Sequence, residues 1–261
     1  MIAVTLLARD EIDIIGQWLD HHIPLVDRLY ITDNGSVDGT RETLADYAAR
    51  FAQITVIDEP GLGFWQNKWV DRMIRTAIAD GADWVANSDA DEFWDVDFRK
   101  LAVLDARCAA WRVKSFLFVP TCRDDLQITD PVKRLRWWVK SPRNETERWC
   151  MPTWHKIFHQ TKNFRANVQG NHDVEFNGKT KTKDAPGNCR IRHYPNRSWQ
   201  QYRRKYIQGG EAYSHTKIDK AYGFHWRERY KIYCEQSITG LKRLWYQELA
   251  DDFSQLEQVN D

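Results

Sequence analysis

The sequence predicts an α/β fold built on a doubly wound, mostly parallel sheet, and two observations predict it. Short apolar runs at 2–8, 29–32, 54–57 and 84–87 alternate with segments whose apolar residues recur at helical spacing, a pattern that calls for helical crossovers between parallel strands. Three of these runs end in acidic, turn-forming loops, which such a sheet gathers beyond the carboxyl ends of its strands.

Taken in order, Ile2 to Ala8 is apolar enough for a strand buried on both faces, and Ile12, Ile15, Trp18, Leu19 and His22 follow in helical register. Leu29 to Thr32 reads as the second strand. It ends in the loop Asp33 to Thr40, where Ser36 or Asp38 can start a helix that carries Leu44, Tyr47, Ala48 and Phe51 on one face. Ile54 to Ile57 is the third strand, broken by Pro60-Gly61-Leu62-Gly63. A helix from about Gln66 buries Val70, Met73, Ile74, Ala77 and Ile78, stops at Gly81 and delivers the chain to a buried strand, Trp84 to Asn87. A chain leaving that strand extended would point Asp89 and Asp91 to one side. Two carboxylates at one point repel unless a cation joins them, so the pattern points to Mg²⁺ or Mn²⁺ completed by substrate phosphates.

The regular alternation then fades. Trp111 to Val119 reads as a strand with a turn at Pro120 to Asp125. Lys133 to Lys140, with Arg143, Arg148, Trp149 and Trp154, is basic and rich in Trp. It reads as an edge strand and solvated loop, or as a wall where Trp stacks on sugar and Arg meets phosphate. Ile238, Leu241, Leu244, Trp245, Leu249, Phe253 and Leu256 recur at helical spacing and predict a C-terminal helical extension packed on the rest.

Composition narrows the function classes. The 261 residues can bury one sizeable core, and 38 Lys plus Arg against 37 Asp plus Glu leave a net charge of +1, so no global field favours nucleic acid. The opening residues read as a strand rather than a signal peptide, and no run approaches the roughly 20 apolar residues of a membrane span. A soluble cytoplasmic protein is expected, with peripheral contact at the inner face of the membrane left open. The five cysteines form no CxxC pair, which argues against a disulfide framework or zinc ribbon. The 13 Trp lean toward carbohydrate, since indoles stack on sugar rings.

The strand ending in Ala8-Arg9-Asp10-Glu11, the loop Asp33-Asn34-Gly35-Ser36-Val37-Asp38-Gly39-Thr40 and the DXD-like Asp89-Ala90-Asp91 resemble, in order and spacing, the family 2 glycosyltransferases of the GT-A fold. Trp154-His155-Lys156-Ile157-Phe158, Gly170-Asn171-His172-Asp173-Val174 and Arg190 to Ser198 resemble the second half of a bacterial subgroup with Gly-Asn-His and His-aromatic-Pro-x-Arg-Ser segments. The resemblance implies a GT-A domain over 1–215, with a nucleotide-binding half at 1–95 and an acceptor-side half at 96–215, and a helical extension at 216–261. It also implies an inverting, metal-dependent transfer of sugar from a nucleoside-diphosphate sugar to a hydroxyl, in glycan or surface polysaccharide synthesis, with a glycan or lipid-linked glycan as acceptor. Asp33 would then contact the base, Asp89 the ribose or a metal-bound water, and Asp91 the metal. Asp10 departs from the Asn that many members carry.

Around these, Arg9, Glu11, Asn34, Ser36, Asp38, Asn67 and Lys68 are further candidates for holding the nucleotide. Arg197 and Lys205 flank a helix start at Ser198, where cations suit a leaving diphosphate. His193, at the end of a short strand, is the imidazole candidate to join Asp89 and Asp91 at the metal, a ligand better matched to Mn²⁺ than to Mg²⁺. Asp173 and His172 lead as the base that takes the acceptor proton, with Asp124, Asp125 and Glu175 open. Two alternatives remain at this stage. A sugar nucleotidyltransferase wants a glycine-rich loop after the first strand, which Arg9-Asp10-Glu11 is not, and a carbohydrate-binding module would have little use for Asp89 and Asp91 together.

Overall fold

The computed structural model describes residues 1–61, 65–140, 155–168, 170–215, 223–250 and 253–259. In chain order its elements are β1 (Ile2–Ala8), α1 (Ile15–His22), β2 (Arg28–Asp33), α2 (Thr40–Arg50), β3 (Ile54–Asp58), α3 (Gln66–Ala79), β4 (Trp84–Asp89), β5 (Glu92–Asp95), α4 (Phe98–Val103) and β6 (Ala110–Leu117). There follow α5 (Pro131–Arg134), β7 (Trp137–Val139), β8 (His155–Gln160), β9 (Phe164–Asn167), β10 (Val174–Phe176), β11 (Thr182–Asp184), β12 (Arg190–His193), α6 (Trp199–Ser214), α7 (Phe224–Glu248) and β13 (Leu256–Gln258). The described parts of Met1–Gly61, Trp65–Phe116 and Met151–His193 form one unit, and those of Leu117–Cys150 and Tyr194–Asp261 a second. The sequence-based boundaries after 95 and 215 fall inside the first and second unit respectively.

The first unit is a mixed sheet flanked by helices. Its strand order is β3-β2-β1-β4-β8-β6-β12-β5, with β11 pairing β6. β1 is parallel to β2 and β4, and β2 to β3; β8 enters antiparallel to both β4 and β6. Register sets the carboxyl ends side by side: Asp33 lies opposite Ala8 and Asp58, and Asp89 opposite Leu7. Successive strand residues alternate faces. On one face α3 buries Val70, Met73, Ile74 and Ala77 with Ala3, Tyr30, Val85 and Ile157, each large apolar side chain contributing about 1.5–3 kcal/mol. On the other, the buried indole of Trp18 donates from Nε1 to Ser88 Oγ at 3.2 Å.

Local chemistry moves two helix starts from their expected places. The amides of Ile14 and Ile15 both donate to Glu11 O, so α1 begins beyond Ile12, which stays exposed. Asp38 Oδ1 accepts from Thr40 N at 3.1 Å, and Gly39 adopts φ 105°, a conformation open mainly to glycine. The loop therefore consumes Ser36 and Asp38, and α2 starts at Thr40.

In the second unit α6 and α7 enclose Tyr202, Tyr206, Leu241 and Trp245. Gly209 and Gly210 permit the approach, because a Cβ on them would fall 1.9 Å from Trp226 Cε3 and 2.1 Å from Tyr230 Cβ. α7 is interrupted at Ser237, with φ 58° and ψ −164°. The helical spacing that continued through Phe253 and Leu256 is not a helix there: Phe253 opens a 3₁₀ turn, and Leu256 pairs with Val139 of β7. Apolar spacing over one or two turns cannot separate these cases. Of the basic Trp-rich segment, residues 141–154 lie outside the described residues. No helix among the described residues is long and apolar enough to cross a membrane.

Two buried imidazoles make the fold acid-sensitive. His159 is wholly buried, with Nδ1 bonded to Gln160 O at 2.9 Å and its ring stacked on Phe164. Burial lowers its pKa from 6.5 to about 4, and burial lowers that of His22 as well. The unfolded chain therefore binds protons near pH 6.5 that the folded chain refuses, so stability present above pH 6.5 is lost as pH falls toward 4. For His159 this should cost on the order of 3 kcal/mol at the acid end, and His22 adds to the loss in the same direction. Denaturant midpoints taken between pH 7.5 and 4.5 should fall steadily, and less steeply in His159→Phe.

Candidate functional site

The site of the first unit is built where β4 ends. β4 runs to Asp89, Ala90 and Asp91 turn, and β5 starts at Glu92. The Asp89 amide donates to Glu92 Oε2 at 3.1 Å and closes the turn. The two aspartates thus leave a tight turn rather than one side of an extended segment, and their carboxylates have different partners. Asp91 Oδ1 lies 3.4 Å from His193 Nε2, on the strand paired with β5. Asp89 Oδ2 lies 2.5 Å from Lys156 Nζ, which is also 3.3 Å from Glu92 Oε1.

Lys156 and Glu92 are both buried, their side chains 2% and 1% exposed. Burial would depress the lysine, but Asp89 and Glu92 outweigh it and hold the ammonium charged. Burial pushes Glu92 up to about 7, against the pull of Lys156.

A chain of buried polar side chains ends on Asp89. Thr5 Oγ1 donates to Asn87 Oδ1 at 2.7 Å, Asn87 Nδ2 to Asn167 Oδ1 at 3.2 Å, Asn167 Nδ2 to Asn171 Oδ1 at 2.7 Å, and Asn171 Nδ2 to Asp89 Oδ1 at 3.5 Å. Every donor points toward the carboxylate, the one group in the series that only accepts. Asn171, 1% exposed, adopts φ 61°, a left-handed conformation that a non-glycine residue keeps only where its surroundings impose it.

His172 follows. Its Nδ1 lies 2.9 Å from His155 O; a carbonyl only accepts, so Nδ1 carries the proton and Nε2 keeps a lone pair. Burial, with Lys156 nearby, lowers its pKa to about 4. Asp173 is exposed, and its Oδ1 accepts from Val174 N at 2.8 Å.

The loops after β1 and β2 are knitted together. Asp10 N donates to Ser36 Oγ at 3.0 Å and Val37 N to Asp10 Oδ1 at 2.7 Å, while Glu11 N donates to Thr40 Oγ1 at 2.8 Å and Ile12 N to Asp38 Oδ2 at 3.2 Å. Asp10 sits at φ 55°, a region Asn and Asp tolerate best among side-chain-bearing residues. Asp33, buried, accepts from Ser36 N and lies 2.9 Å from Arg41, which also holds Asp58. Asn34 ties Glu59 O and Gly61 O, at 2.8 and 2.9 Å. Arg9 carries a buried Nε with no hydrogen-bond partner. Asn67 and Lys68 lie on the exposed start of α3, with Lys68 Nζ 4.1 Å from the Trp65 ring. Arg197 and Lys205 belong to the second unit, where Arg197 Nη1 donates to Tyr194 O and Lys205 Nζ to Pro195 O.

Among the described residues no group of three or more His, Cys, Asp or Glu side chains is arranged to hold a metal ion. Asp91 and His193 suit two positions of one ion: neighbouring ligands about 2.1 Å from a shared centre sit about 3 Å apart, close to the 3.4 Å seen. Phosphate oxygens and water would complete the set. The sequence reading missed Lys156, Glu92, Asn167 and Asn171 as site residues. A signal for the first was present, since a lysine beside Ile157 and Phe158 in a buried strand calls for a partner.

No protein-family model matches the chain, and no curated protein matches it. Among solved structures it is similar to a mannosyltransferase from Pyrobaculum calidifontis in complex with GDP-Man and Mn²⁺, at 14% identity over 94% of this chain and 74% of that one, TM-score 0.42. GalNAc-T7 with UDP, GalNAc and Mn²⁺ is similar at 11% identity over 95% of this chain and 54% of that one, TM-score 0.45. HddC from Yersinia pseudotuberculosis is similar at 14% identity over 49% of this chain and 66% of that one, TM-score 0.34.

Proposed function

We propose that this chain is a metal-dependent glycosyltransferase of the GT-A type, resembling family 2, that moves a sugar with inversion from a nucleoside-diphosphate sugar to a hydroxyl of a glycan or lipid-linked glycan. The observation that carries the reading is the placement of Asp91 against His193, 3.4 Å apart, in the turn after β4, at the same sheet edge where β1 and β2 end. A nucleotide binds at such an edge, beyond the carboxyl ends of parallel strands. Asp91 and His193 hold a divalent ion, Mn²⁺ matching the imidazole. When bound, the ion neutralises the departing diphosphate.

The chain's own residues do the rest. Asp33 and the knitted loops hold the nucleotide, Asp89 accepts a hydrogen bond from it, and Lys156 keeps Asp89 in place. His172, neutral at working pH with its Nε2 lone pair, takes the acceptor hydroxyl proton as the new bond forms. Asp173 anchors the turn beside it. A nucleotidyltransferase is disfavoured because the loop after β1 lacks glycine, and its amides are spent on Ser36 and Thr40 rather than left for phosphate.

Calorimetric titration with UDP and with GDP, each in Mn²⁺ and in EDTA, tests the reading. One of the two should bind and should need the metal. Binding of neither, with Mn²⁺ or Mg²⁺, overturns it.

A further inference from the structure

Lys156 is a buried cation with three acceptors around it, Asp89 Oδ2 at 2.5 Å, Glu92 Oε1 at 3.3 Å and Gly170 O at 3.3 Å. An ammonium has three hydrogens, so this set satisfies it fully. Asp89 is engaged from both sides, by Lys156 on Oδ2 and by Asn171 on Oδ1. Both donors are fixed: Lys156 by burial, and Asn171 by the polar chain that begins at Thr5.

We propose that Lys156 is a positioning residue, the resident counter-ion of the acidic turn, which takes Asp89 and Glu92 out of reach of a metal and confines protein ligation of the ion to Asp91 and His193. This rests on the metal reading above and goes beyond it. Without a lysine, three carboxylates in four residues would draw a divalent ion among themselves, away from a diphosphate held at the sheet edge. With it, two carboxylates are set before any ligand arrives. The single ion needed to balance the remaining charge is directed to the Asp91 and His193 side. Asp89, a third exposed, stays an acceptor for a hydroxyl.

The test is a Mn²⁺ titration of the protein without nucleotide, followed by the electron paramagnetic resonance of free Mn²⁺, so that the contact of Asp89 with the nucleotide does not enter. Asp91→Asn should weaken Mn²⁺ binding at least about tenfold. Asp89→Asn should change it less than about threefold, because that carboxylate is not a ligand. In Lys156→Met the two released carboxylates should compete for the ion. Mn²⁺ should then bind at least about fivefold more tightly, and the same Asp89→Asn change made in that background should remove the gain. An Asp89→Asn loss in the native background equal to that of Asp91→Asn overturns the proposal, and this comparison stands even if Lys156→Met does not fold. Unchanged Mn²⁺ affinity in folded Lys156→Met also overturns it. Native-like binding in Asp91→Asn would instead overturn the metal reading itself.

Discussion

His172→Asn is expected to lower kcat by 10²- to 10⁴-fold, the range a positioned proton acceptor contributes, while Mn²⁺-dependent binding of the nucleoside diphosphate stays within about threefold. Asparagine is the informative replacement. Its side-chain amide can still donate to His155 O, the bond that orients His172 at 2.9 Å, but it has no counterpart to the Nε2 lone pair. Asp173→Asn should cost far less, since Asp173 is exposed and its carboxylate serves the Val174 amide. Release of nucleoside diphosphate from the donor measures both. A His172→Asn variant with native kcat would return the role of base to Asp173, Glu175, Asp124 or Asp125.

The second large effect concerns the other unit. Arg229, on α7 and partly buried, has Nη2 2.5 Å and Nε 3.1 Å from Glu248 Oε1, Nε 3.1 Å from the Tyr202 hydroxyl of α6, and its guanidinium 4.8 Å from the Tyr206 ring. Tyr202 itself donates to Glu248 at 2.9 Å. Arg229→Met strands Glu248, whose side chain is only 11% exposed, so a loss of about 3–5 kcal/mol is expected. Replacing both partners, Arg229→Met with Glu248→Leu, should recover most of it, because two apolar groups leave no uncompensated charge. Urea unfolding followed by tryptophan fluorescence reads both, with Trp226 and Trp245 lining the affected packing. A single variant within about 0.5 kcal/mol of wild type would show that the arginine adds nothing to the packed pair.

The parallel half of the sheet was legible because each strand there is a short apolar run and each helix an amphipathic one. The spacings of Val70, Met73, Ile74 and Ala77, and of Leu29 to Ile31, answer to a single physical demand, burial. The place of the acidic turn was legible for a different reason: it directly follows the buried run Trp84 to Asn87. Its geometry was not, because the chain turns at Ala90 and Asp91 and the partners come from distant strands. Lys156 lies 67 residues from Asp89, and sequence gives no account of which far residue returns to a strand end. Asn167 was hidden for the same reason, and Asn171, though part of the Gly-Asn-His segment, gave no sign in the sequence of the partners it meets once the fold buries it. At the C-terminus, Leu256 shared the helical spacing of Leu241 and Trp245 but pairs as a strand, a choice made by the edge that β7 offers.

The measurement that bears most directly on the central claim is calorimetric titration of Asp91→Ala and His193→Ala with the preferred nucleoside diphosphate in Mn²⁺. Ligand partners one shell further out already cost roughly 10- to 100-fold when removed, so each variant should lose at least that much of the metal-dependent affinity. Each should keep the weak binding the wild type shows in EDTA. Native affinity in both variants, with the fold intact by far-UV circular dichroism, would contradict the assignment of the ion to this turn.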